Sequence, residues 1–312
     1  MLPFGLFVLV AFIAVVAVVY VYKIQPKPEL DQQDPSRVLP PTRRAALSDH
    51  NVAYVREGKG PTLLFLHGIG ASKYSWRFML KDLSQDFDCI ALDLPGFGAS
   101  DKFPKQSYGL EAQADRVIEF CDQLGLTDVG LVGSSMGGAL SLYLTTLQPE
   151  RFYKVLTLAP ATSKSLVTID PAFLMSAAGP LSGLIHERIQ RSILKLVFYR
   201  TELIHDESLK TYFKPYINNP KAVQTLVRAV KLITKPKWRR LLPEVKVPHT
   251  LIYGEHDRLV PRKVVNETVR LIPQTKLITS DRSGHHPMEE EPEWTAGLIR
   301  EFYQDARPSK SH

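Results

Sequence analysis

Cysteine is scarce in this chain of 312 residues, which contains only Cys89 and Cys121. Two cysteines cannot build the disulfide framework of a small secreted domain, and the absence of CxxC or Cys/His spacings excludes the usual zinc sites. Low-complexity tracts are also absent, since apolar residues make up 44% and charged residues 23%, as in ordinary globular domains. We therefore predict a folded chain with a large core, two free thiols and no metal.

Charge is absent from residues 2–22, a run of 21 residues dense in Val, Phe, Ala and Leu. As a helix rising about 1.5 Å per residue, this run would span about 30 Å, the thickness of a hydrocarbon core. A cleaved signal peptide is the alternative, but no Lys or Arg precedes the run and no small-residue cleavage site follows it. We predict a transmembrane anchor at residues 1–22 of a single-pass membrane protein. The basic residues after it predict a body on the cytoplasmic side.

The rest of the chain divides by composition. Residues 23–50 contain five prolines among polar residues and predict a Pro-rich linker. From residue 51, short apolar runs alternate with stretches whose apolar residues recur every three or four positions. The predicted strands are Val52–Val55, Thr62–Leu66, Asp88–Leu92, Val129–Val132 and Val155–Leu158, and the predicted helices are Tyr74–Gln85, Tyr108–Leu124 and Met136–Gln148. This alternation predicts an α/β fold with a mostly parallel central sheet flanked by helices.

The alternation stops after Pro160. Residues 161–242 are predicted to be helical, most clearly at 183–199, 208–216 and 221–232, and a helical insertion at this point of an α/β sheet is typical of a lid. Strands at 249–253 and 275–279 and a closing helix at 294–305 follow. The predicted domains are a first core part at 51–160, a lid at 161–242, a second core part at 243–306 and a tail at 307–312.

A Gly-x-Ser-x-Gly motif lies between a predicted strand and a predicted helix. It reads Gly133-Ser134-Ser135-Met136-Gly137. Such a turn exposes its central serine as a nucleophile, and a Cβ at either glycine would clash with neighbouring backbone. A Ser/Gly-rich surface turn is the alternative, which the flanking strand and helix disfavour. We predict Ser135 as the nucleophile.

A serine nucleophile needs a histidine base that is oriented by a carboxylate. His285 follows the last predicted strand, and position alone does not separate it from His286. Asp257 lies a few residues past another predicted strand, where loops at the carboxyl ends of parallel strands converge, and Glu255 is the alternative acid. The order Ser135, Asp257, His285 is that of the α/β-hydrolase triad.

The same chemistry needs backbone donors for a developing oxyanion. The turn His67-Gly68-Ile69-Gly70 follows a predicted strand and can expose an amide. We predict the N–H groups of Ile69 and Met136 as the oxyanion hole, with His67 and Asp93 as structural residues of their turns. The glycines after Asp93 lack the further glycine or the Lys-Ser/Thr of a phosphate-binding loop. The Ser/His/Asp chemistry needs no cofactor, and none is predicted.

Five sequence blocks, in this order, resemble the α/β-hydrolase superfamily. They are His67-Gly68, residues 93–100, residues 133–137, Asp257 and residues 284–287. The resemblance covers residues 51–303 apart from the predicted lid, and it implies the nucleophile, acid and oxyanion donors named above. It also selects His285 over His286, because the family has one residue and then proline after its catalytic histidine.

The N-terminal run together with Gly-Ser-Ser-Met-Gly-Gly is similar to membrane-bound monoacylglycerol lipases and related bacterial esterases. This resemblance implies a serine hydrolase that cleaves carboxylic esters of lipophilic substrates, monoacylglycerol-like lipids above all, through an acyl-enzyme. Serine at position 135, where epoxide hydrolases and haloalkane dehalogenases have aspartate, disfavours those branches. Two alternatives stay open: a C–C bond hydrolase of the meta-cleavage product type, and a non-catalytic binding protein with this fold.

Positive charge is concentrated in the predicted lid. Residues 161–242 contain 14 Lys and Arg against 5 Asp and Glu, an excess of nine in a chain whose net charge is +7. The densest part surrounds Trp238 and includes Lys235, Lys237 and Arg239. We expect these side chains to face either solvent or anionic lipid headgroups. No nucleic-acid-binding motif accompanies them, so the predicted partners are a lipid or ester substrate and the membrane.

Overall fold

A computed structural model of the protein describes residues 39–163, 186–234 and 238–304. Its centre is an eight-stranded sheet with the order β1-β2-β4-β3-β5-β6-β7-β8. The strands are β1 (Arg43–Ala46), β2 (Asn51–Glu57), β3 (Thr62–Leu66), β4 (Asp88–Leu92), β5 (Val129–Ser134), β6 (Lys154–Leu158), β7 (His249–Gly254) and β8 (Thr275–Ser280). Strand β2 runs antiparallel to β1 and β4, and all other pairings are parallel. The prediction of a mostly parallel sheet is confirmed.

Helices cover both faces of the sheet. Outside the segment between β6 and β7 they are α1 (Arg77–Leu83), α2 (Leu110–Gln123), α3 (Met136–Leu147), α7 (Arg262–Leu271), α8 (Pro287–Glu290) and α9 (Pro292–Tyr303). Leu63 and Phe65 of β3 pack with α1 and α9 on one face, while Leu64 and Leu66 pack with α2 and α3 on the other. Because β3 is buried on both faces, its sequence is a continuous apolar run rather than an alternating one.

The two cysteines lie on opposite faces of this core. Cys89 of β4 and Cys121 of α2 are both buried and free, as predicted. Burial raises the pKa of the Cys121 thiol to about 12. Both side chains therefore act as small apolar core residues rather than as reactive thiols.

The sheet begins earlier than the sequence pattern indicates. Strand β1 lies inside the predicted linker and pairs with β2, Arg43 opposite Tyr54 and Ala46 opposite Asn51. It is an edge strand of four mostly exposed residues, too short to show an alternating pattern. Helix α7 was not predicted either, although its apolar Val264 and Val265 are buried against the core.

The segment between β6 and β7, here called the helical insertion (residues 161–242), is described in part. Its described helices are α4 (Glu187–Val197), α5 (Asp206–Phe213) and α6 (Pro220–Thr234), with 3-10 turns at Thr201–Leu203 and Trp238–Glu244. Residues 164–185 and 235–237 lie outside the described residues. Trp238 and Leu242 are buried in the same core cluster as α2 and α3, so the end of the insertion packs on the main body.

The predicted membrane localisation is wrong, because the described helices do not include a membrane span. Within the described ranges, no helix is both long and apolar enough to cross a bilayer. The longest, α6, has 15 residues and carries Lys221 and Arg228. The predicted anchor at residues 1–22 and the predicted tail at 307–312 lie outside the described residues. Of the basic residues expected to face solvent or lipid headgroups, Arg239 is partly exposed and pairs with Glu267, while Lys235 and Lys237 lie outside the described residues.

Replacement of glycine by alanine should have opposite effects on stability at Gly130 and at Gly297. A Cβ at Gly130 in β5 would lie 2.4 Å from Tyr303 Cε1 and 2.8 Å from Leu63 Cδ2, whereas a Cβ at Gly297 in α9 would meet nothing within 4 Å. We expect Gly130→Ala to lower the free energy of unfolding by about 1–3 kcal/mol through overpacking. Gly297→Ala should raise it by up to about 1 kcal/mol, because alanine favours the helix. Urea unfolding of both variants tests this, and equal midpoints would contradict it.

Candidate active site

Ser135 occupies the tight turn between β5 and α3. Its backbone has φ 52° and ψ −113°, a region that residues other than glycine rarely adopt. Two hydrogen bonds hold the backbone in this strained conformation. Ser135 N–H donates to Leu158 O at 2.9 Å, and Ser135 O accepts from Ala161 N–H at 2.9 Å. The side chain is therefore presented at the carboxyl end of β5, with 7% of the residue exposed.

The predicted need for glycine on both sides of this turn is confirmed. A Cβ at Gly133 would lie 2.5 Å from Gly137 O, and a Cβ at Gly137 would lie 2.1 Å from Leu66 O. Both distances are far shorter than a carbon–oxygen contact. The start of α3 can therefore lie directly against the end of β3 only because these positions lack side chains.

The loop after β3 lies beside Ser135. A Cβ at Gly68 would be 3.2 Å from Ser135 Cβ and 3.8 Å from its Oγ. Ile69 follows in this loop, and Met136 is the first residue of α3. This brings both predicted oxyanion donors to the same end of the sheet as Ser135. Their assignment as an oxyanion hole stays a prediction.

Asp257 lies in the loop after β7, and its side chain is fully buried. Its Oδ1 accepts from the N–H groups of Leu259 at 2.7 Å and Val260 at 2.9 Å, and its Oδ2 contacts His285 Nδ1 at 2.7 Å. Burial alone would raise the pKa of Asp257, but His285 and the two amides lower it below its ordinary value. The carboxylate is thus ionised and fixed, with one oxygen turned to the histidine.

His285 lies in the loop after β8, which touches the Asp257 loop backbone to backbone. A Cβ at Gly254 would meet Gly284 O at 2.2 Å, so a glycine is needed where the two loops cross. Only 4% of the His285 side chain is exposed. Strands β5, β7 and β8 are parallel members of one sheet, so their carboxyl ends place Ser135, Asp257 and His285 along the same edge.

The alternative candidates have other partners. Glu255 pairs with Arg262 at the surface. His67 is fully buried, contacts Gly68 O through Nδ1 at 2.7 Å and accepts from Leu94 N–H at Nε2 at 3.0 Å. Asp93 accepts from both Lys73 N–H and Nζ. The prediction that His67 and Asp93 are structural is confirmed.

His286 belongs to a buried ionic network that the sequence analysis missed. Its Nδ1 contacts Glu289 Oε1 at 2.9 Å, and Glu289 also bonds Arg77 and the Tyr212 hydroxyl of α5. The Tyr212 hydroxyl donates its one proton to Glu289, so its oxygen accepts from Ser75 Oγ at 3.1 Å. Long sequence separations conceal such a network, since Arg77 and Glu289 lie 212 residues apart in the chain. Among the described residues, no cluster of three His, Cys, Asp or Glu side chains could hold a metal ion.

Burial alone would raise the pKa of Glu289, but the charge of Arg77 and the hydrogen bond from His286 outweigh it and hold that pKa at about 2. A lowered carboxyl pKa adds stability above the ordinary value of 4.5, which is lost as pH falls towards about 2.

We expect Glu289→Gln to lower the free energy of unfolding by roughly 3–5 kcal/mol at neutral pH, because it leaves Arg77 buried without its charge partner. The difference from wild type should shrink as the pH falls to about 3. Denaturant unfolding across this range is the measurement. Glu301→Gln, which removes an exposed ion pair with Lys276, is the control and should cost under about 1 kcal/mol. A difference for Glu289→Gln that does not change with pH would contradict the assignment.

Comparison with known proteins places this site in a family. Residues 61–292 match the family model described as the alpha/beta hydrolase fold. The chain belongs to this family. The uncharacterized hydrolase YugF of Bacillus subtilis (strain 168) is 30% identical over 273 residues, 84% of this hydrolase and 97% of that protein. Lipase 1 of Psychrobacter immobilis is 27% identical over 269 residues, 82% of this hydrolase and 81% of that protein.

Solved structures share the fold at lower identity. A thermophilic esterase from Thermogutta terrifontis matches with a TM-score of 0.69 at 22% identity, over 85% of this hydrolase and 98% of that chain. A meta-cleavage product hydrolase from Pseudomonas fluorescens IP01 matches with a TM-score of 0.69 at 19% identity, over 85% and 98%. The resemblance to α/β hydrolases with lipase and esterase relatives is confirmed, and these two structures show the fold alone.

Proposed function

We propose that this α/β hydrolase cleaves carboxylic esters with Ser135 as nucleophile, His285 as base and Asp257 as the residue that orients the base. The observation that carries the proposal is the buried 2.7 Å contact between His285 Nδ1 and Asp257 at the sheet edge where the strained Ser135 is presented. A histidine held in this way keeps Nε2 unprotonated and available to a serine hydroxyl.

The reaction follows from these positions. Ser135 Oγ attacks the ester carbonyl carbon while His285 Nε2 takes the hydroxyl proton. The amides of Ile69 and Met136 donate to the oxyanion of the tetrahedral intermediate. The intermediate collapses, the C–O bond to the alcohol breaks, and His285 returns the proton to the leaving alkoxide. A water activated by His285 then hydrolyses the acyl-enzyme and releases the acid.

The proposed substrates are lipophilic esters, with monoacylglycerol-like lipids favoured, and the helical insertion is the proposed lid. Leu226 of α6 supports this, because its Cδ1 lies 3.8 Å from the position of a Cβ at Gly70 in the loop that carries Ile69. An aliphatic side chain of the insertion therefore lies close to the loop that carries one of the proposed oxyanion donors. The insertion also packs through an apolar cluster that includes Leu194, Phe198 and Phe213. An apolar insertion beside the site favours an acyl chain over a charged acid as the bound group.

Hydrolysis of p-nitrophenyl esters of graded chain length, and of monoacylglycerols, tests the proposed function. We expect kcat/KM to rise with chain length by up to about fourfold for each methylene that becomes buried. Leu226→Asn should reduce this chain-length dependence, because it places an amide over the acyl chain. Leu241→Asn, at an exposed leucine, is the control and should leave it unchanged.

Two outcomes would contradict the proposal. Cleavage of a vinylogous diketone acid in preference to every ester would indicate a C–C bond hydrolase. A folded protein that hydrolyses none of these compounds and does not react with a fluorophosphonate would indicate a binding protein.

A further inference from the structure

The end of helix α4 lies directly on the loop that carries His285. The His285 N–H donates to Val197 O at 3.0 Å, so the backbone of the proposed base is bonded to the last residue of α4. A Cβ at Gly284 would lie 3.0 Å from Tyr199 N, which shows how closely the two segments approach. The insertion and the catalytic loop are therefore in contact through their backbones.

The Glu290 carboxylate joins the same two segments a second time. Its Oε1 accepts from Gly284 N–H at 2.8 Å, while its Oε2 accepts from the N–H groups of Tyr199 at 2.8 Å and Arg200 at 2.9 Å. The Arg200 guanidinium also donates to Glu290 O at 2.9 Å. Glu290 is only 1% exposed. One carboxylate thus satisfies three backbone amides, one on the catalytic loop and two on the insertion.

A buried carboxylate is costly unless its oxygens are fully bonded. Burial raises the pKa of Glu290, and the three amides only partly offset this effect. Apolar residues or a glutamine could fill this position at a lower desolvation cost. Because the Glu290 carboxylate lies between the His285 loop and the insertion, it can align His285.

We propose that Glu290 is a positioning residue, which holds the Gly284-His285 backbone against the end of α4 and so keeps His285 aligned between Asp257 and Ser135. The proposal rests on the proposed function. It makes the helical insertion part of the support of the catalytic histidine, as well as a cover over the substrate. Glu290 acts through backbone amides and touches no reacting atom.

Glu290→Gln tests the proposal, because an amide has one acceptor oxygen and cannot serve both segments at once. We expect kcat per titrated active site to fall by about 10²-fold for a short ester such as p-nitrophenyl acetate, as for a misplaced catalytic group. KM should stay within about twofold, since substrate contacts are retained. The acid-side pH of half-maximal kcat/KM should also move, because the contact between His285 and Asp257 changes. Glu291→Gln is the matched control, since its carboxylate bonds Ser280 instead of Gly284.

A second pair of variants tests the insertion side and covers the case in which Glu290→Gln does not fold. Arg200 has φ −81°, close to the range near −65° that proline requires. Arg200→Pro removes the amide that Glu290 accepts from, whereas Arg200→Ala removes only the side chain. We expect Arg200→Pro to reduce kcat more than Arg200→Ala. Hydrogen exchange should be faster at 197–201 and 283–286 in Arg200→Pro.

Titration with a fluorophosphonate separates the possible failures. A wild-type protein that takes no probe and hydrolyses no ester would overturn the proposed function, and this inference with it. An active wild type in which Glu290→Gln lowers only the number of titrated sites, with kcat per site and the pH profile as in Glu291→Gln, would overturn the positioning role alone. Equal kcat in Arg200→Pro and Arg200→Ala would overturn it as well.

Discussion

Ser135→Ala is expected to reduce ester hydrolysis by roughly 10⁴- to 10⁶-fold, because it removes the proposed nucleophile and leaves only the oxyanion hole and substrate binding. Labelling with a fluorophosphonate should disappear in the same variant. The free energy of unfolding should not fall. Alanine tolerates the turn no worse than serine, and the substitution removes no contact on which the fold depends. Single-turnover kinetics and probe labelling of the purified variant are the measurements.

Ser134→Ala is the matched control for this variant. Ser134 precedes Ser135, is fully buried, and its Oγ has no hydrogen-bond partner within the described part of the chain. Loss of its hydroxyl should leave both kcat and labelling close to wild type. If Ser134→Ala were inactive and Ser135→Ala active, the register of the motif would be wrong by one residue.

Asp257→Asn is expected to reduce kcat by about 10⁴-fold. The reason lies in the bonding of the carboxylate: Oδ1 accepts from Leu259 and Val260 N–H, so the asparagine oxygen will be held there and its NH₂ turned towards His285. An amide donor facing Nδ1 places the imidazole proton on Nε2. In that tautomer Nε2 cannot accept the proton of Ser135.

Glu255→Gln provides the control for Asp257→Asn. Glu255 lies two residues earlier in the same loop, and its partner is Arg262 at the surface. The variant should keep wild-type kcat within about twofold, as expected of an exposed ion pair. Steady-state kinetics of the two variants at the same pH is the measurement. Equal losses in both variants would show that the loop, and not the Asp257 carboxylate, matters.

The parallel strands were predictable because burial on both faces removes any need for polar residues. Strands β3 and β4 were predicted with the same bounds that the structure gives. Strand β1 was not predictable, because an exposed four-residue edge strand is specified by its pairing with β2 and not by its own pattern. The membrane localisation was predicted from a long uncharged apolar run with no basic residue before it and no cleavage site after it, and no described helix has the properties of a membrane span.

The edge of the sheet at which Ser135, Asp257 and His285 lie was predictable, since each follows a predicted strand, but the choice of His285 over His286 came from the family resemblance. The supporting residues were not predictable. Glu289 and Glu290 are neighbours in a run of three glutamates, and nothing local shows that one bonds Arg77 while the other bonds the amides of Tyr199 and Arg200. Arg77, Tyr199 and Arg200 are 90 or more residues away from these glutamates, and only the tertiary fold brings them together.

The strand order also bears on how the chain is made. Strand β6 pairs with β7 only after the whole helical insertion, so the two strands are joined by a loop of about 90 residues whose closure is slow. During synthesis the turn that holds Ser135 can form between β5 and α3 long before β7 and β8 leave the ribosome. A nascent chain at that stage carries Ser135 without its proposed acid or base. A serine activated by the proposed triad would thus arise only at the end of folding, when Ser135 is already enclosed by its own chain.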